Sequence, residues 1–164
     1  MKTIFSFFLI LIGFISFGQE DKVAQIDSKI NLIDSDSTLI ETEYDWIELT
    51  GITTDGGGIL KVWKKENQIY KIYEEVGLSY GRIRTTMYLE NEMPIKIIET
   101  EENFVHINNE LNYNKLNEVF KVEFYVFDWE NDDCKIYTTG KRVMSEGELL
   151  FEYEPLIERA KLNQ

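Results

Sequence analysis

The chain has 164 residues, 30 of them acidic and 17 basic, for a formal net charge of −13. A surface of that sign repels phosphate backbones and anionic membrane faces, and no basic stripe offsets it, which excludes nucleic-acid binding as an expected role. With 43% hydrophobic and 13% aromatic residues the chain is too apolar to stay disordered, and its one cysteine and one histidine exclude an intrachain disulfide and any histidine-pair metal site.

The first element is an address. Met1-Lys2 supplies a positive charge, Ile4 to Ile15 is an apolar run broken only by Ser6 and Gly13, and Ser16-Phe17-Gly18 places small residues before Gln19. This is the pattern of a cleaved signal peptide over residues 1–18, which predicts a periplasmic or secreted protein with a mature chain from Gln19. The run is shorter than the roughly 18 to 20 residues of a bilayer span, so no integral membrane segment is expected in the mature chain. Residues 19–164 then form a single α+β domain.

Val23, Ile26, Ile30 and Ile33 recur at helical spacing, which predicts a helix with one apolar stripe. Asp34-Ser35-Asp36-Ser37 ends it, because short polar side chains compete for backbone hydrogen bonds. Residues 34–45 begin like a calcium loop, but Leu39 stands where such a loop needs glycine. Residues 38–50 read as a linker leading into a short strand, and Asp55-Gly56-Gly57-Gly58 as a turn.

Three dipeptides follow, Glu66-Asn67, Glu90-Asn91 and Glu130-Asn131, each between runs rich in Val, Ile, Thr, Tyr, Phe and Trp. Such runs suit a pleated, half-buried surface, and the pattern predicts three hairpins with strands near 59–65, 68–76, 79–89, 93–103, 118–129 and 133–141. Hairpins in succession pair in order, giving an antiparallel six-stranded β-meander flanked by an N-terminal and a C-terminal helix. The asparagine-rich stretch from Glu101 to Asn117 reads as strand and then a long polar loop. Ser145 and Glu148 have capping-box spacing, and Leu149, Tyr153, Leu156 and Ala160 fall on one helical stripe, although Pro155 should kink or restart that helix.

Catalytic chemistry finds little support. A nucleophilic triad would have to use His106, whose neighbours Phe104, Val105 and Ile107 make it a strand position, and Cys134 reads as a small buried hydrophobe. No cofactor motif is present, since Gly56-Gly57-Gly58 lacks the partners of a phosphate loop. The best recognition candidates are Tyr80, Arg82, Arg84 and Tyr88, which share a parity and so one face of a strand. Arginine forks grip carboxylates and tyrosines give rigid contact area, while the competing reading is cross-strand pairing with Glu74, Glu75 or Glu99.

With the leader, the leading helix and the three Glu-Asn hairpins in view, the chain resembles uncharacterised small exported proteins of gram-negative bacteria, in which a helix precedes a hairpin meander. That resemblance covers roughly Val23 to Met144 and implies a location in the cell envelope, without an activity. The expected role is a non-enzymatic binding or interaction protein with a protein or small ligand as partner. A small-molecule or lipid carrier with a pocket between sheet and helices, and an inhibitor of a basic partner, are the alternatives.

Overall fold

The computed structural model describes residues 2–108, 110–143 and 153–161. Its elements run α1 (Lys2–Ser35), β1 (Ile40–Asp45), α2 (Trp46–Thr50), β2 (Gly58–Lys65), β3 (Gln68–Leu78), β4 (Gly81–Glu90), β5 (Met93–Ile107), β6 (Glu110–Asp128), β7 (Asp133–Gly140) and α3 (Tyr153–Lys161). All strands join one antiparallel sheet in the order β1 to β7. The meander therefore has seven strands rather than the six expected. The added one is β1, where acids alternate with Thr42 and Tyr44 along the β2 edge. Among the described residues, no helix is long and apolar enough to cross a membrane.

Tight turns set the register. Glu66-Asn67 closes β2 on β3 with Glu66 at φ 56°, and the second turn is Asn91-Glu92, one residue later than expected, at φ 52° and 66°. Positive φ at both central residues gives a turn whose twist matches that of the flanking strands. The third turn is longer, from Asp128 to Asp133, and Asp128 caps it by accepting from the backbone N–H of Glu130 and Asn131.

The asparagine-rich stretch departs most from expectation. Instead of looping, β5 runs on to Ile107, turns at Asn108 (φ 53°), and returns as β6 from Glu110. The neighbouring strands stop short: β4 begins at Gly81 opposite Asn103, and β7 ends at Gly140 opposite Phe120. Residues 104–117 thus form a two-stranded arm that projects beyond the sheet.

Each face is covered in its own way. On one side Leu60, Val62, Ile72, Met87, Leu89 and Ile97 build a fully buried layer, closed by Ala160 and Ile157 of α3. On the other, Ile26 and Ile30 of α1 pack on Tyr88 and Tyr125. That face carries a ladder across consecutive strands: Trp63, Lys71, Tyr88, Lys96, Tyr125 and Lys135 are successive register partners. Above it, Asp34 takes Lys71 at 2.6 Å and the Tyr88 hydroxyl at 3.0 Å, Asp27 takes Lys96 at 2.9 Å, and Glu20 takes Lys135. These acids stand seven residues apart, about 10.5 Å along a helix, close to the roughly 9.6 Å spanned by two strand spacings. An acid every second helical turn therefore meets a lysine on every second strand, and α1 must cross the strands.

Helix α1 ends at Ser35, and Asp36 beyond it accepts from both the amide and the hydroxyl of Thr38, bonds that hold its carboxyl below the usual range. Cys134 is exposed rather than buried, because β7 is an outer strand with little packed on it. Pro155 lies in the first turn of α3, where its missing N–H costs no helical bond. The capping box at Ser145 and Glu148, and Leu149, lie outside the described residues.

Gly81 is the tightest point of the sheet: a Cβ there would lie 1.9 Å from the carbonyl oxygen of Glu102. Gly81→Ala is expected to lower stability by about 2 to 3 kcal/mol in denaturant unfolding, since the backbone must move to admit the methyl group. A change below about 0.5 kcal/mol would mean that β4 and β5 are not registered as described.

Candidate functional site

The projecting arm and the β3–β4 turn meet at one end of the sheet. Leu78 pairs with Gly81, leaving Ser79-Tyr80 as a two-residue turn, and the Phe104 amide donates to the Tyr80 carbonyl at 2.8 Å, tying the turn to the root of the arm. The loop before β2 reaches the same end. Gly56 and Gly77 lie backbone to backbone, exchanging hydrogen bonds through Gly56 N–H to Gly77 O (3.1 Å) and Gly77 N–H to Gly57 O (2.8 Å), and a Cβ on either would clash. The run of glycines is thus a docking requirement, and it carries Asp55 to the site.

Between these pieces lies a cavity of about 560 Å³. It is lined by Leu78, Ser79 and Tyr80 at the turn, by Asn103 at the root of the arm, by Phe104, His106 and Leu111 on the arm, and by Asp55 and Val143. Phe104 also meets Tyr113 edge to face at 5.1 Å between centroids. Two apolar lining residues are open to solvent, Tyr80 at 63% and Val143 at 65%, and Tyr113 beside Phe104 is 66% exposed. His106 is exposed, on the arm.

The four residues singled out from sequence separate. Tyr80 sits in the turn rather than on β4 and lines the cavity. Arg82 and Arg84 share the carboxylate of Glu102, Arg82 through Nε at 2.6 Å, and Arg82 also reaches Glu75 at 3.4 Å. Their side chains remain 31% exposed, on the stretch of face beyond α1. Tyr73 joins this group by donating to Glu75 at 2.7 Å, and burial followed by that carboxylate pushes its hydroxyl up to about 12. Tyr88 lies under α1 with 6% exposure; burial, then Asp34, raises its pKa, so it stays a neutral donor.

The glutamates proposed as arginine partners also divide. Glu75 does face Arg82, but Glu74 and Glu99 point to the opposite face, where they hold the C-terminal segment. Glu74 accepts from Trp46 Nε1 and from Arg159, both at 2.7 Å, Glu99 pairs with Arg142, and Glu101 accepts from the Val143 amide at 2.8 Å. Burial raises the pKa of Glu99, against the pull of Arg142 and with the push of Glu101 and Glu74. This buried network was missed in the sequence, where Glu74 and Glu99 read as cross-strand partners of Arg82 and Arg84. Among the described residues no group of His, Cys, Asp or Glu is arranged to hold a metal ion. Comparison with family models, with curated proteins and with solved structures finds no match to this chain.

Proposed function

We propose that this protein is an exported binding protein of the cell envelope, non-enzymatic, which recognises a protein partner through the arm end of its sheet. The observation that carries this reading is a concavity lined by exposed Tyr80 and Val143 together with Leu78, Phe104 and Leu111, with exposed Tyr113 packed edge-on against Phe104 beside it. Tyrosines beside a pocket, rimmed by polar groups, have the make-up of an interface hot spot. Arg82 and Arg84 extend the surface along the sheet with guanidinium donors suited to carboxylates. Export rests on the Ser16-Phe17-Gly18 junction, and the polar contacts given above for α1 all come from Glu20 onward, so cleavage before Gln19 leaves them intact.

A photo-crosslinking residue at position 113, introduced in the native host, tests this. A discrete adduct from position 113 and none from position 64 on β2 is the expected result, with the captured chain carrying Gln19 at its N-terminus by mass spectrometry. Equal labelling from both positions would withdraw the arm as the recognition surface, and an N-terminus at Met1 would withdraw export.

The cavity volume also falls within the range of small-molecule sites, which favours a second reading in which the same concavity takes a small apolar ligand. A ligand retained through purification and lost on Tyr80→Ala would support that reading over a protein partner.

A further inference from the structure

The two covers of the sheet are attached differently. Under α3 the strands present Leu60, Val62, Ile72, Met87, Leu89 and Ile97, side chains that water would destabilise if the cover lifted. Under α1 they present Lys71, Tyr88, Lys96, Tyr125 and Lys135, whose ammonium and hydroxyl groups are at home in water, with Ile95, Ile98 and Phe127 only partly buried beside them. The second face is the one that could stand uncovered.

Much of the attachment of α1 is electrostatic. Its buried apolar side chains are Ile26 and Ile30, with Val23 and Ile33 partly covered. Beside these stand five ion pairs to the sheet: Lys22 with Asp133, Lys29 with Glu90 and Asp34 with Lys71, each at 2.6 Å, Asp27 with Lys96 at 2.9 Å, and Glu20 with Lys135. In each pair the partner on the helix keeps 42% or more of its side chain in solvent, within reach of dissolved ions. Such pairs are weak singly, and they are screened as the Debye length falls from about 10 Å at 0.1 M salt to about 3 Å at 1 M. Five acting on one element make its docking depend on ionic strength.

We propose that α1 is a salt-sensitive strap, which lifts from an otherwise intact sheet as ionic strength rises and uncovers the lysine and tyrosine face. Residues 36–39, which join α1 to β1, are the hinge and keep the freed segment tethered beside its place. Closure has one register. Lys71, Lys96 and Lys135 stand on alternate strands and meet Asp34, Asp27 and Glu20, so sliding the helix by one turn would break all three contacts together. The strap is therefore shut or open rather than partly displaced. Once free, residues 19–35 are too short to hold a helix well in water, so lifting exposes their amides to exchange. All five pairs use residues from Glu20 onward, so the strap does not depend on whether residues 1–18 are removed, nor on recognition at the arm.

Hydrogen exchange of the purified protein at constant pH, in about 0.02 M and about 1 M sodium chloride, tests this. Amides of residues 23–35 should exchange at least about tenfold faster at the higher salt, while those around Ile72, Met87 and Ile97 change by less than about twofold. Asp27→Asn/Asp34→Asn removes two anions at nearly constant shape. It should speed α1 exchange at low salt by at least about tenfold, shrink the response to added salt, and leave the sheet centre unchanged. Lys22→Gln/Lys29→Gln, at two exposed pairs, makes the same test should the first variant fail to fold. Exchange of residues 23–35 that is as slow as the sheet centre at both salt concentrations would overturn the strap and place α1 in the cooperative core. So would a salt response shared equally by α1 and the sheet centre, or one undiminished in a folded variant.

Discussion

Replacing Arg142 by Met is expected to cost about 3 kcal/mol at neutral pH, one of the largest losses available to a single change outside the apolar core. Its side chain is 8% exposed, pairs with Glu99, which is 5% exposed, and lies over the Phe120 ring at 4.4 Å. Methionine keeps most of the apolar stem, so the loss isolates the charge. Without the guanidinium, Glu99 is left beside Glu101 and Glu74, the two carboxylates that already push its pKa up. A carboxyl raised above its ordinary value of 4.5 binds its proton more tightly in the folded chain than in the unfolded one. Its contribution is therefore full below pH 4.5 and is lost as pH rises through the folded value. Removing Arg142 raises that value further, so the deficit of the variant should widen with increasing pH and narrow toward pH 4. Adding Glu99→Gln should recover part of the stability and flatten the difference. Denaturant unfolding at pH 4, 5.5 and 7 reads both effects, and a deficit independent of pH would show that Glu99 is not the group exposed by the change.

Ile72→Ala should cost about 3 kcal/mol, within the usual range for deleting a fully buried branched side chain, whereas Tyr113→Ala should cost less than about 0.5 kcal/mol. Ile72 has no exposed surface and lies between Val62 and Met87 in the central strands, with Ile97 one strand further. No neighbouring strand can collapse into the space without breaking its own pairing. Tyr113 has 66% of its surface in solvent and touches Phe104 only edge on. The contrast locates stability in the sheet centre and leaves the arm free for recognition. Comparable losses at the two positions would mean that the arm is part of the core.

What could be read from the sequence follows from what each segment packs against. The hairpins around Asn67, Asn91 and Asn131 were legible because strands with one or two covered faces must carry Val, Ile and aromatic residues. The arm was not, since the asparagines at 108, 109, 112, 114 and 117 read as turn and loop residues and mask the interleaved Phe104, Val105, Ile107, Leu111, Tyr113 and Leu116 of a strand pair that runs beyond β4 and β7. Strand β1 lies in the stretch that reads as a linker leading into a short strand, because exposed Glu41 and Glu43 at the sheet edge obscure its strand period. The stripe of Ile26 and Ile30 announced a covering helix, but only the strand spacing explains why Glu20, Asp27 and Asp34 recur every seven residues. Parity placed Tyr88 with Arg82 and Arg84 correctly as to face. It could not show that α1 covers Tyr88 and ends its reach before the arginines. The pairing of Glu99 with Arg142 spans 43 residues and joins a strand to a segment beyond the sheet, a contact that no local pattern encodes.

The claim that recognition resides at the arm end and not in the folded core is checked by measuring affinity and melting temperature together on Tyr80→Ala/Tyr113→Ala, using the partner captured by crosslinking from position 113. Both side chains are mostly in solvent, so the melting temperature should stay within about 2 °C of wild type. Hot-spot residues contribute 2 kcal/mol or more, so Kd should rise at least about thirtyfold. An unchanged Kd, or a loss of affinity matched by a loss of melting temperature, would contradict the claim.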